Sequence, residues 1–414
     1  MNEVKSSGAG GERLNLREHA WPLYVAAQIV AVVGFIAAIL LAVLKYRDQF
    51  FGRFFFAYLV NYCFFLAIAL GGLFFVLLQH VTKAGWGVNV RRIAEWIASS
   101  MPVVAALSAP IVASIIWNRG SLYAWARPGG TEEYNHFKQV YLNPGFFIAR
   151  LVFYFACWSV MGVWYWKQSI KQDVSGDYRL TIRMQALAAP ALVLFGLTLT
   201  FAAFDLIMSV DPEWDSTIFG VFFFAGCAID IFAVIILTVL LLQWRGFMRH
   251  SVTVEHFHDL GKYLFGFVFF WGYITFSQYM LQWYSSMPEE THWFKTRGAT
   301  TALNQANGWS VVIIMLLFGH FLIPFAGLLS RHVKRAPKVL GFWAAWMLVF
   351  DWLNLLWLIM PSLDGKFHLS LIELSLFLGI GGVLLAVVLR KAAHDSLRPV
   401  HDPRLADSLA FENV

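Results

Sequence analysis

The stretch LGKYLFGFVFFWGYITFSQYMLQWY, Leu260 to Tyr284, decides the fold. It runs for 25 residues with a single charge, Lys262, near its start. A helix needs about 20 predominantly apolar residues to cross the hydrocarbon core of a bilayer, so this run reads as a membrane span. The sequence then continues SSMPEETHWF to Phe294, turning polar without losing its aromatics. Gln278, Gln282, Tyr284 and the pair Glu289 and Glu290 crowd this end. A substrate site, a docking surface and a helix leaving the bilayer through its aromatic belt all fit that pattern.

The rest of the chain follows suit. Of its 414 residues, 59% are hydrophobic and 14% charged, against about 25% charged in soluble domains. The 18 Trp and 39 Phe suit rings set against lipid and headgroups. Nine further runs are long enough to span: Leu23–Tyr46, Phe54–Gln79, Ile93–Trp117, Phe146–Trp166, Leu187–Met208, Ile218–Gln243, Trp309–Ser330, Val339–Met360 and Leu371–Arg390. The run at Ile93 is interrupted by Glu95, Ser99, Ser100, Pro102, Ser108 and Pro110. The expected architecture is all-α and polytopic: a tail over 1–22, ten helices over 23–390 and a polar, mobile tail over 391–414.

Twenty of the 31 Lys and Arg fall on the side that carries both termini and nine on the other. The positive-inside rule then places both termini in the cytoplasm. The same rule accounts for the net charge of +6 without nucleic acid. The first run is too long for a cleaved signal and lacks a small-x-small site after it. Cys63, Cys157 and Cys227 stand singly in three spans, which makes no metal-ligating or cluster-ligating motif.

Ionisable residues inside a bilayer are costly and usually paired or functional. Asp230, His320 and Asp351 come from three spans at similar, central depth and form a candidate proton relay or a static polar network. Lys262, Gly266, Tyr273, Ser277 and Tyr284 share one face of their helix. They read as a second proton-path candidate, or as bonds to neighbouring helices. Arg150 and Asp205, near an interface, read as a structural ion pair, and Glu373 lies at a similar depth. A membrane haem needs two facing axial ligands. Only His320 is deep, while His80 sits at a helix end and His256, His258 and His292 in loops.

Two long motifs, AFDLIMSVDPEWDSTIFG (Ala203 to Gly220) and HDLGKYLFGFVFFWGYITFSQYMLQWYSSMPEE (His258 to Glu290), resemble the F subunit of alternative complex III (ActF), within the NrfD-like membrane proteins. LYAWARPG at Leu122–Gly129 and YLNPGFFIAR at Tyr141–Arg150 extend the resemblance over essentially all ten spans. The resemblance implies two four-helix bundles with flanking helices in a bacterial inner membrane. It also implies a quinol:electron-acceptor oxidoreductase complex of a respiratory or photosynthetic chain. There this subunit would be noncatalytic, supporting assembly and proton translocation. Quinol would bind in a paralogous membrane subunit, and haem c and iron–sulfur clusters in external subunits, with no cofactor in this chain. Two rival expectations are a proton-coupled secondary transporter and a quinol-binding membrane anchor. Gly379, Gly381 and Gly382 offer the kind of helix break a transporter uses, without a matching partner in the other half.

Overall fold

The computed structural model describes residues 16–46, 50–117, 120–299 and 307–413, and among these there are helices and turns but no strand. Ten helical segments are long and apolar enough to cross a membrane. The first half of the chain contributes α1 (Arg17–Lys45), α2 (Phe50–Val81), a broken span, α7 (Pro144–Ser175) and α8 (Arg179–Leu206). The broken span consists of α3 (Val88–Ala98), α4 (Met101–Ala106) and α5 (Ala109–Ile116), and α6 (His136–Tyr141) lies in the loop after it. The second half contributes α9 (Phe219–Trp244), α10 (Val254–Ser285), the loop helix α11 (Pro288–Thr296) and α12 (Gly308–Leu316). α12 passes through a π-helical turn, Leu317–Leu322, into α13 (Ile323–Leu329) and the short α14 (Arg331–Lys334). α15 (Pro337–Ile359), α16 (Leu371–Ala392) and α17 (Leu405–Leu409) complete the chain.

The packing makes two four-helix bundles and an outer pair. α2, α3–α5, α7 and α8 form one bundle, and α9, α10, α12–α13 and α15 the other. They meet along α2 and α9, the two most buried spans. α16 packs on α2, and α1 packs mainly on α16. α1 turns a stripe of Ala27, Ala31, Gly34, Ala38 and Ala42 inward and its Val, Ile and Leu residues outward. The small stripe lets the two backbones touch: a Cβ on Gly34 would lie 2.6 Å from the Gly379 nitrogen, and one on Gly382 would lie 2.8 Å from the Ala27 carbonyl. Gly379, Gly381 and Gly382 therefore serve close packing within a continuous α16 and do not break it.

The interrupted run at Ile93 is broken where its sequence suggests. Pro102 and Pro110 sit in the first turns of α4 and α5, where a missing N–H costs no helical bond. Ser99, Ser100 and Ser108 donate back to the carbonyls of Trp96, Ile97 and Ala105, satisfying groups that the breaks release.

The ends depart from the expected tails. Residues 1–15 of the N-terminal tail lie outside the described residues, and α1 already starts at Arg17. The segment after α16 is docked rather than mobile. Leu397, Arg398, Asp402 and Ser408 are buried. Asp402 pairs with Arg91 at 2.7 Å, Asp395 accepts from the indoles of Trp96 and Trp166, and Asn413 accepts from Lys262. Arg91 and Arg92, just ahead of the apolar run at Ile93, are thus buried in α3, paired with Glu95, Asp402 and Asp173.

Candidate functional site

The core of the second bundle carries a group of deeply buried ionisable residues. Asp351 on α15 and Asp230 on α9 are buried neighbours. Gly226, one turn before Asp230, makes room for them, since a Cβ there would stand 3.0 Å from Asp351 Oδ1. His320 approaches from the π-helical turn, with Nε2 3.3 Å from the same Oδ1. Its ring packs on Trp271 of α10 at a centroid distance of 3.9 Å. The structure therefore brings Asp230, His320 and Asp351 together from three helices, with Trp271 from a fourth. The two oxygens of Asp230 and Nδ1 of His320 have no partner within hydrogen-bond geometry among the described residues.

The π-helical turn explains how His320 points inward. Pro324 has no N–H for the carbonyl of His320, and its ring crowds that carbonyl. A wider turn absorbs the clash, as π-bulges do. The Trp346 indole donates to the neighbouring Gly319 carbonyl at 2.7 Å. Pro324 on its own reads only as a kink signal. Together with a histidine four residues earlier it locates the site.

Beside this group lies a cavity of about 590 Å³. Thr275 and Tyr279 of α10, Ser310 of α12 and Asn354 of α15 give it polar points among Trp271, Phe321 and Trp357. Asn354, 3% exposed, makes no side-chain hydrogen bond among the described residues. α11 covers the cavity through Phe294, and Gly298 and Ala299 complete that edge. The cover is pinned by buried Arg297, which donates to the Leu358 carbonyl at 3.0 Å, to Ser362 at 2.8 Å and stacks on Trp293. Burial pushes the Arg297 guanidinium down to about 9, against the opposing pull of Asp211.

The second candidate path is not internal to this chain. Lys262, Tyr273 and Tyr284 are exposed and Ser277 half-buried on the outward face of α10. The face turned to the bundle carries Leu264, Val268, Trp271, Gln278 and Gln282, about half a helical turn away. Lys262 is paired with Asp259. Gln278 and Gln282 bond the α8–α9 turn: Gln278 accepts from Ser216, and Gln282 accepts from the Trp214 indole and donates to the Asp215 carbonyl. The two long motifs are thus packed against each other.

Arg150 and Asp205 form a two-pronged pair at 2.9 and 2.7 Å, with Tyr154 donating to the same carboxylate and Tyr141 under the guanidinium at 3.8 Å. Glu373 is held by Arg53 and by the Ser370 hydroxyl at 2.6 Å. Arg53 lies in α2, whose helix begins at Phe50, ahead of the apolar run that starts at Phe54. His80 is buried beside Tyr165, and His256 bonds Thr253 and Ser408. No group of three His, Cys, Asp or Glu among the described residues has metal-site geometry.

Compared with known proteins, the chain matches no protein-family model and no curated protein. The sequence and the geometry support a polytopic, all-helical membrane protein with a buried carboxyl and imidazole group at its centre.

Proposed function

We propose that this chain is an integral membrane subunit of a quinol:electron-acceptor oxidoreductase of the alternative complex III type, and that Asp230, His320 and Asp351 handle protons in it. The meeting of these three residues in the core of the second bundle carries the proposal. Two carboxyls and an imidazole in an apolar surround are adjacent proton donors and acceptors that are costly to bury. Such groups inside membranes commonly belong to proton relays. On this reading the chain sits in a bacterial cytoplasmic membrane with both termini inside. Quinol is bound by a paralogous membrane subunit, and haem c and iron–sulfur clusters by external partners. The resemblance of the two long motifs is the ground for that assignment.

The second reading, a quinol-binding anchor, is favoured by the cavity beside Trp271, whose aromatic walls and polar points at Tyr279 and Asn354 suit a polar ring on an apolar tail. The transporter reading loses its helix break at Gly379.

The test is proton release during quinol oxidation by the purified complex in liposomes, with Asp351→Asn and His320→Ala compared with the parent. Electron transfer that persists while transmembrane proton movement falls supports the proposal. Unchanged rates in an assembled complex refute the proton role.

A further inference from the structure

The cavity beside Trp271 has a mouth. α10 packs against α13 and the π-helical turn but parts from α12, and the cavity lies in the gap. Phe276 on one side of the gap, and Ile314 and Leu317 on the other, line the cavity and are exposed on the outer surface of the bundle. Residues with both properties mark an opening, and all three lie within membrane spans. The mouth therefore faces acyl chains, while α11 covers the loop side through Phe294.

The inner end is polar and incomplete. Trp271 Nε1 and Asn354 Oδ1 are buried and have no hydrogen-bond partner among the described residues, and both side chains line the cavity. The indole can only donate and the amide oxygen only accept. A buried polar atom left bare costs about 1–3 kcal/mol. Other polar groups on the wall are already engaged: the Thr275 hydroxyl donates to the Trp271 carbonyl at 2.7 Å, and the Ser310 hydroxyl accepts from the Asn307 N–H at 3.1 Å. The unmet capacity is thus one donor and one acceptor at the end away from the mouth. No charged side chain is among the described residues that line the cavity, so a charged head would enter without a counter-charge. Its volume of about 590 Å³ is in the range of small-molecule sites.

We infer that this cavity binds an uncharged, lipid-soluble molecule that enters head first from the bilayer between α10 and α12. A hydroxyl on its head accepts from the Trp271 indole and donates to the Asn354 carbonyl, and its apolar chain leaves past Phe276 and Ile314. A quinol and a lipid alcohol share that chemistry. The inference rests on the cavity of the quinol-anchor reading, but neither on a quinol as the occupant nor on the proton role.

The experiment takes the full chain, with whatever it is assembled with, from its native membrane into mild detergent and identifies the retained lipids by mass spectrometry. Asn354→Leu removes the acceptor at nearly constant volume. Ile314→Trp obstructs the mouth from an exposed position and decides alone should Asn354→Leu fail to fold. Leu378→Trp, exposed on α16, is the control. The expected result is one uncharged lipid held by the parent and the control in fixed ratio to the chain and depleted in both variants. In Asn354→Leu the depletion is about twofold to tenfold, the range for one neutral hydrogen bond. A depleted quinone or quinol supports the inference and the quinol-anchor reading together. Another depleted neutral lipid supports the inference and removes that reading. A charged depleted lipid, or retained lipids identical in the parent and both variants, overturns the inference.

Discussion

Arg53→Met is the most informative perturbation of the fold. Arg53 and Glu373 are 2% and 0% exposed, and their ion pair joins α2 to α16. Arg53 also donates to the His368 carbonyl at 2.7 Å, and the second oxygen of Glu373 accepts from the Ser370 N–H at 2.9 Å and hydroxyl at 2.6 Å. Arg53→Met leaves a buried carboxylate with only its capping bonds, which should cost about 3–5 kcal/mol. Replacing both partners, Arg53→Met with Glu373→Gln, removes the stranded charge while the glutamine keeps the capping box. What remains is the unpaired His368 carbonyl, about 1–3 kcal/mol. The double variant should therefore be more stable than the single one by about 2 kcal/mol. Unfolding of the purified protein in mixed micelles by titration with sodium dodecyl sulfate, followed by tryptophan fluorescence, measures all three against the parent. A single variant no less stable than the double, to within about 0.5 kcal/mol, refutes the view that pairing keeps Glu373 buried as an anion.

Four further outcomes are expected. Gly34→Leu, whose Cβ would fall 2.6 Å from the Gly379 backbone, should force α1 off α16 and raise the protease sensitivity of α1 in detergent. Gly226→Val should displace the Asp351 carboxyl and reproduce the proton phenotype of Asp351→Asn in liposomes, without loss of assembly. Pro324→Ala should let the π-helical turn relax to α, swing His320 away from Asp351 by about 100° and give that same phenotype. For Asp402, burial raises the carboxyl, but Arg91 and the Arg404 N–H outweigh it and hold the group below its ordinary range. A depressed folded value means that docking of the C-terminal segment is at full strength above about pH 4 and is lost as pH falls through the folded value. Hydrogen-exchange protection over 395–413, taken relative to the intrinsic rate at each pH, should therefore fall below about pH 4, and Asp402→Asn should already show that loss at neutral pH.

The ten spans are legible because length and hydropathy alone determine what can lie in a bilayer, and each span coincides with a helical segment of the structure. The interrupted one is three short helices, with its prolines and serines at the breaks. The meeting of Asp230, His320 and Asp351 is legible only as shared depth. Which side of its helix His320 faces depends on the π-helical turn, and a constant 100° step misplaces residues beyond such a turn. The α10 stripe shows the opposite gap: its angular position is plain from the sequence, but whether that face turns inward depends on Trp271, Gln278 and Gln282 finding partners elsewhere in the chain. The docked C-terminal segment is hidden because its apolar anchor, Leu397, is isolated, and its other anchors, Asp395 and Asp402, look like solvated charges until α3 and α7 supply their partners.

Both bundles contain a broken span, and the breaks are put to different uses. In the first, the carbonyls of Val104 and Leu107 beside the breaks accept from the phenols of Tyr62 and Tyr58, and Lys391 of α16 donates to the Ser99 hydroxyl at 2.5 Å. That break is closed by hydroxyls and one ammonium from the outer pair. In the second, the Gly319 carbonyl is satisfied by the Trp346 indole, so the backbone is again provided for. The residue that the wider turn turns inward is a histidine, and it meets a carboxyl rather than a hydroxyl. On the proposed function, the three titratable groups that meet in the core of the second bundle, each costly to bury in a membrane, give the second break its use in proton handling.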